Sequence, residues 1–413
     1  MQRRAIRCLA ILILVGIPAL CIAKSRHATP KTPASAIQAQ HPVSNDAQVE
    51  VRLMEVYRLM GAGRSLEALD KVSRIVQEYP NFQLAQLVYG DLLSARIRPV
   101  KALGDVPSNV ASTVPSILDD LREESGKRVK GLADRPRPGT IPSQFLEVSQ
   151  KTRHAIAVDA SRSRLYLFEN RPSGLTLIAD YYTSVGKAGV SKTSQGDQRT
   201  PLGVYYITSN LDPKSLKDFY GSGALPINYP NMLDAKRGKT GAGIWLHGTP
   251  HDQFSRPPKA TDGCLVMANP DLLHIIESVE IGSTPVVIAP QLNWVEPQRV
   301  KAESKPFENT LRDWRNAKTE GNMDRLMSFY AADFNANGKS LGQWATTLKA
   351  EVSKIQGQSI ELKDVSILRW TDSNDTMVVT FGEVAFGKLT GWTKRQYWSL
   401  QGDQWKIFFE ATI

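Results

Sequence analysis

Cys264 and His247 are the residues of this chain best suited to covalent chemistry. Cys8 and Cys21, the other two cysteines, fall in an N-terminal apolar run, so Cys264 is the one thiol expected after maturation. A lone thiol in an oxidising compartment has no disulfide partner, and its retention reads as use. Acyl transfer from an amide needs a nucleophile, a base to take its proton and donors for the oxyanion. Cys264 supplies the first, His247 the second, and backbone N–H groups around Gly263 and Cys264 are candidate donors. A neighbouring imidazolium would stabilise the thiolate, and Gly263 permits a tight turn and close substrate approach. The competing reading is a buried, inert cysteine. His251 reads either as a second polar group at the site or as a solvated loop residue. Trp245 and Tyr229 are candidate groove residues, with burial in the core as their alternative. Six scattered histidines and one mature cysteine offer no zinc set, which needs three or four ligands at short spacing. No metal and no cofactor is expected.

These residues must be positioned by elements whose patterns run along the chain. Arg3, Arg4 and Arg7 followed by an apolar run from Cys8 to Ala23 read as a signal peptide over 1–23. Cleavage after Ala23 gives an exported protein, and an uncleaved run gives an inner-membrane anchor. Residues 24–46, rich in Ala, Pro, Ser, Thr and Gln, have the composition of a disordered linker. Helical periodicity over 47–98 (Leu53, Val56, Met60; Leu69, Val72, Val76; Leu84, Val88, Leu92) resembles a single tetratricopeptide-like hairpin, which cannot bury its faces alone. Residues 99–152, interrupted by prolines, read as a linker with one short helix. Short apolar strands such as 155–159, 164–168 and 284–289 mark a β-rich domain over 153–290. Helical spacing and then a meander of long strands over 305–413 describe an α+β cone, so the fold class is multidomain α+β. The formal net charge of +10, in an exported protein, points to anionic wall polymers or lipid headgroups and away from nucleic acid.

From about Arg153 to Pro290 the chain resembles the YkuD-type L,D-transpeptidase family. The resemblance rests on His247-Gly248, a spacer, and Thr261-Asp262-Gly263-Cys264, preceded by the second hallmark Gly196-Asp197-Gln198-Arg199-Thr200-Pro201-Leu202-Gly203. It implies a β-rich catalytic domain acting on peptidoglycan stem peptides. Cys264 would attack the carbonyl at the L-centre of the stem's diamino acid and expel D-alanine, with the Gly248 carbonyl orienting His247. Transfer to an amine acceptor, giving a crosslink or a protein attachment, is the expected reaction, and trimming of the tetrapeptide to a tripeptide by water is the alternative. Thr261 and Asp262 beside the nucleophile are expected to bind substrate, and Thr261 belongs to the family's motif. Asp262 and Val266 depart from it, standing where many members have histidine and arginine, so Arg256 or Lys259 is the candidate replacement for a carboxylate-binding arginine. Asp262 is expected to favour imidazolium at His247. The C-terminal residues resemble the nuclear-transport-factor-2-like fold, read as a binding or dimerising module without chemistry of its own. A homodimer through the helical or C-terminal domain is open on this reading. The whole layout is similar to cell-shape-determining L,D-carboxypeptidases, and Gly263-Cys264-x-x-Met267 resembles a branch that releases wall-linked lipoprotein. A non-catalytic wall-binding scaffold is the remaining alternative.

Overall fold

Three amphipathic helices open the described part of the chain: α1 (Ala47–Gly61), α2 (Ser65–Glu78) and α3 (Gln83–Ser94). The computed structural model describes residues 47–106, 115–336, 338–355, 358–373, 375–388 and 390–413. The expected signal and linker over 1–46 lie outside them. The helices bury Leu53, Val56, Val72, Ile75, Leu84 and Val88, the residues their 3.6-residue period aligns. The hairpin's open face is closed by α4 (Pro115–Ala133) and by Phe254 from the next domain. The region 99–152 is therefore more than a linker with a short helix. Its helix runs for 19 residues, and its tail forms β1 (Ile141–Pro142) and β2 (Phe145–Glu147). Strands this short carry no readable period.

The central domain is built on β3 (His154–Asp159), β4 (Arg164–Arg171) and β5 (Gly174–Tyr182), followed by β6 (Val185–Gly186), β7 (Gly203–Tyr206), β8 (Ala224–Pro226), β9 (Trp245–His247), β10 (Lys259–Thr261), β11 (Leu265–Val266) and β12 (Pro285–Ala289). The main sheet runs β5-β4-β3-β12-β7, with β12 parallel to β3 and antiparallel to β7. Strand alternation divides its side chains between two cores. Ile156, Val158, Leu165 and Leu167 join the core of the central domain. Ala155, Ala157, Tyr166 and Phe168 face a second core shared with the C-terminal residues. Burial on both faces explains the uninterrupted apolar runs.

After β13 (Trp294–Val295), which pairs with β1, comes α7 (Pro297–Glu320), numbered after the short α5 (Met232–Lys236) and α6 (Asn269–Ser278) of the central domain. The expected boundary at residue 305 thus falls inside a helix. Next come α8 (Met323–Ser328), a small hairpin of β14 (Asn335–Ala336) and β15 (Lys339–Ser340), α9 (Leu341–Ile355), and the long strands β16 (Ile360–Arg369), β17 (Thr376–Ala385), β18 (Trp392–Gln401) and β19 (Gln404–Thr412). The sheet order is β19-β18-β17-β16-β2, so the fifth strand of the cone comes from the segment ahead of the central domain. Trp370 packs on Gly203, where an added Cβ would lie 2.3 Å from the indole ring. Helical region, β-rich domain and cone are consequently one compact unit within 41–413. No described helix is long and apolar enough to cross a membrane.

Candidate active site

The small sheet β11-β9-β8 brings the two reactive residues together. Its parallel register sets Leu265 beside Leu246 and Val266 beside His247. Leu246 and Leu265 face the core, so the period of two turns Trp245 and His247 to the other side. Cys264, at the foot of β11, lines one cavity of about 420 Å3 with His247, Arg256, Lys192, Phe219 and Tyr220.

The turn that presents the thiol demands glycine. Gly263 has φ +126, and a Cβ there would stand 2.6 Å from the Arg199 carbonyl oxygen. Thr261 Oγ1 accepts the Gly263 N–H at 3.1 Å and donates to the Cys264 carbonyl at 2.8 Å. Thr200 Oγ1 donates to the Gly263 carbonyl at 3.0 Å and accepts the Gly186 N–H at 2.9 Å. Two expectations change here. The Gly263 N–H, a candidate oxyanion donor, is engaged by Thr261, and the Thr261 hydroxyl, a candidate for substrate, is committed at both ends to the turn. The second hallmark does the same work at a distance. Asp197 accepts from the N–H groups of Thr193, Ser194 and Arg199, and from Lys192 Nζ at 2.7 Å. Burial opposes ionisation of Asp197, yet these donors outweigh it and hold its carboxyl well below the usual range.

His247 is 1% exposed. Its Nδ1 lies 2.7 Å from the Gly248 carbonyl oxygen. A carbonyl only accepts, so Nδ1 carries the proton and Nε2 keeps its lone pair. Burial pulls the imidazole down to about 4; the Gly248 carbonyl opposes this, and the Arg256 charge adds to it. Cys264 is half-buried, and its thiol donates to the Gly243 carbonyl at 3.5 Å. Burial pushes the thiol up and Asp262 adds to this, against a backbone hydrogen bond from Trp245 and the charges of Arg256 and Lys192. Near neutrality the pair is therefore a thiol beside a neutral imidazole, not the thiolate–imidazolium pair expected from the residue types.

Arg256 is half-buried in the cavity wall, its guanidinium 4.3 Å from the Phe219 ring centroid. Lys259 is exposed and does not line the cavity. Val266 is 1% exposed, with its backbone bonded to Ser184 on both sides. Asp262 sits exposed at the rim, 3.2 Å from Lys187 Nζ and 3.3 Å from Gln198 Nε2, and has no part in the shift of His247. Tyr229 does not reach the cavity: it is 5% exposed, donates to the Thr240 carbonyl and packs on Tyr205. Trp245 stands behind Tyr220 at 4.8 Å between ring centroids. Phe219 and Tyr220, which approach His247 at 5.8 and 5.1 Å, are the aromatic wall that sequence reading missed. Their one local signal is an aromatic pair ahead of Gly221 and Gly223. His251 pairs with Asp218 outside the cavity. Among the described residues no three His, Cys, Asp or Glu side chains gather into a possible metal site.

Residues 153–288 match the L,D-transpeptidase catalytic domain YkuD, and residues 307–411 match the Cds6 C-terminal NTF2-like domain. The chain thus carries a YkuD L,D-transpeptidase catalytic domain followed by an NTF2-like domain. Among solved structures it is similar to Bd1075 of Bdellovibrio bacteriovorus, at 26% identity and a TM-score of 0.57, covering 66% of this chain and 98% of that one. It also shares the fold of the helical cell shape determining protein Pgp2 from Campylobacter jejuni, at 21% identity and a TM-score of 0.51, covering 70% and 99% of the two chains. No curated protein matches it.

Proposed function

We propose that the protein is an exported cysteine enzyme that removes the terminal D-alanine from peptidoglycan stem tetrapeptides, with water as the usual acceptor. The carrying observation is the half-buried thiol in one cavity with an imidazole whose Nδ1 is tied to the Gly248 carbonyl. In this reading Cys264 Sγ attacks the carbonyl at the L-centre of the diamino acid while its proton passes to His247 Nε2. The C–N bond then breaks, and the same proton goes to the departing D-alanine amine. Water attacks the thioester, gives a proton to His247, and the thiol is restored. Arg256 binds the substrate's terminal carboxylate, a role the geometry supports over Lys259. A scaffold would have no use for this arrangement.

Hydrolysis is preferred over transfer because the layout resembles that of cell-shape-determining L,D-carboxypeptidases; the cavity bears on the donor peptide alone. At about 420 Å3, with Phe219 and Tyr220 among its walls, it suits one peptide end. The fold shared with Pgp2, described as a cell shape determinant, supports a role in wall shape. Met267 of the Gly-Cys-x-x-Met pattern is packed in the core at 1% exposure and does not line the cavity. Incubation with defined tetrapeptide muropeptides and separation by mass tests the reading. Tripeptides should accumulate; 3–3 dimers would assign transfer to an amine instead, and unchanged substrate would defeat both.

A further inference from the structure

The segment between His247 and Cys264 carries Arg256 into the cavity, and it is gripped from outside the catalytic domain. The Phe254 ring stacks on Phe82 at 4.3 Å and meets Tyr79 edge-on at 5.3 Å. Its N–H donates to the Asn81 carbonyl at 3.2 Å, while Asn81 Nδ2 donates to the His251 carbonyl at 3.0 Å. Ser255 Oγ donates to Glu124 of α4 at 2.8 Å. The Arg256 carbonyl accepts from the Tyr182 hydroxyl at 2.9 Å, and the Tyr182 ring lies 4.0 Å from the guanidinium of Arg128, also on α4. Arg128 and Glu124 are 3% and 2% exposed, 2.8 Å apart, and Arg128 reaches Glu50 of α1 at 2.9 Å.

Most grips on residues 254–256 thus end, directly or through Tyr182, on the helical region that precedes the catalytic domain; from within that domain Thr249 Oγ1 donates to the Phe254 carbonyl at 3.3 Å and Phe219 lies against Arg256. Buried ions of this kind tolerate no half-made state, because removing one partner strands the other's charge. The docked position of the loop is therefore narrowly defined. We infer that the N-terminal helical unit is a specificity element of the active site, setting through Phe254, Ser255 and Tyr182 where Arg256 meets the anionic end of the substrate. This rests on the role proposed above for Arg256. Phe254, Ser255, Tyr182 and Glu124 act as positioning residues, since none of them touches the reacting atoms.

Alkylation of Cys264 in the full chain, mapped by peptide mass, separates this inference from the proposed reaction. Iodoacetate carries a carboxylate and iodoacetamide does not, so the ratio of their rates reports the place of Arg256 whatever the enzyme does to peptidoglycan. Arg256→Gln should lower the ratio about fivefold, as loss of one nearby charge would. Phe254→Ala should lower it about threefold, with the iodoacetamide rate retained, and Phe254→Leu should restore it. Tyr182→Phe removes one hydroxyl without changing the packing and should lower the ratio in the same direction. A wild-type ratio in both Phe254→Ala and Tyr182→Phe, or an equal fall of both rates in Tyr182→Phe, overturns the inference.

Discussion

The cavity lined by His247 and Cys264 and the interior of the cone both bury ionisable groups, with opposite results. In the cavity no charge outweighs burial at His247 or Cys264: the imidazole is driven down to about 4, and the thiol is pushed up in spite of Arg256 and Lys192. In the cone Lys318 and Lys394 are 0% and 3% exposed. Lys394 Nζ lies 2.7 Å from Glu351 and 3.1 Å from Glu410, and Lys318 Nζ lies 2.7 Å from Glu351 and 2.8 Å from Glu383. Burial alone would pull Lys394 down, yet Glu410, Glu383 and Glu351 outweigh it and hold the ammonium above the usual lysine range. Glu410 likewise stays below the carboxylate range, burial being outweighed by Lys394 and Lys318. What burial does to a group is decided by its partner. Matched ions lock their protons in place, whereas the thiol and imidazole that share the cavity are both held in their neutral forms.

The largest test of that contrast is Cys264→Ala, which should abolish tripeptide formation while leaving the thermal melt unchanged; His247→Gln should follow with a loss of about 10²–10⁴ in rate. Residual turnover by the alanine variant would place the nucleophile elsewhere. Next in size is removal of the cone. A C-terminal module without chemistry of its own would be dispensable for turnover, but a cut near Gln298 strips the cover from Ala155, Ala157, Tyr166 and Phe168 and removes the partner of β2. The truncated chain should fail to fold, as judged by near-ultraviolet circular dichroism; a soluble and active product would mean that the shared core is dispensable.

Lys394→Met attacks the cone without touching the cavity. It leaves Glu410 buried with its main counter-ion gone, and urea unfolding should show a loss of about 3–5 kcal/mol. Turnover per folded molecule should be unchanged, and a fall in kcat would show that the two regions are coupled. The smallest effect concerns pH. With a neutral thiol and neutral imidazole as the resting pair, kcat/KM should rise through about pH 4 as His247 loses its proton, and fall only above the ordinary thiol range as Cys264 ionises. Asp262 helps to hold the thiol up but does not act on His247, so Asp262→Asn should move the alkaline limb down by less than about one unit and leave the acid limb in place. A shifted acid limb would restore the sequence expectation that Asp262 acts on His247.

Much of the scaffold was legible because its signals are local. The helices show in the spacing of Leu53, Val56, Val72, Ile75, Leu84 and Val88, and the sheet shows in the runs 155–158 and 285–289. Cys264, Gly263, Thr261, His247 and Gly248 stand out because a thiol, a base and a forced turn sit close along the chain. Illegible parts depend on neighbours remote in sequence. Phe145 in β2 joins a sheet whose next strand is β16. Phe219 and Tyr220 face the cavity while Tyr229 turns into the core, although the three rings look alike in sequence. The charged stretch on α4 reads as a linker with one short helix, yet Glu124 and Arg128 are buried against Ser255 and Tyr182.

The sequence by itself determined which atoms can react, because a thiol, an imidazole and a glycine turn are properties of residue type and short spacing. It also determined the elements that carry them, through apolar period. Only the tertiary structure decided the state in which the reactive atoms rest. Desolvation and charge act through space, and the groups that impose them on Cys264 and His247, Arg256, Lys192 and Asp262 among them, reach the cavity from separate loops. The same holds for the reach of the active site, whose Arg256 loop is braced by residues that begin at Tyr79.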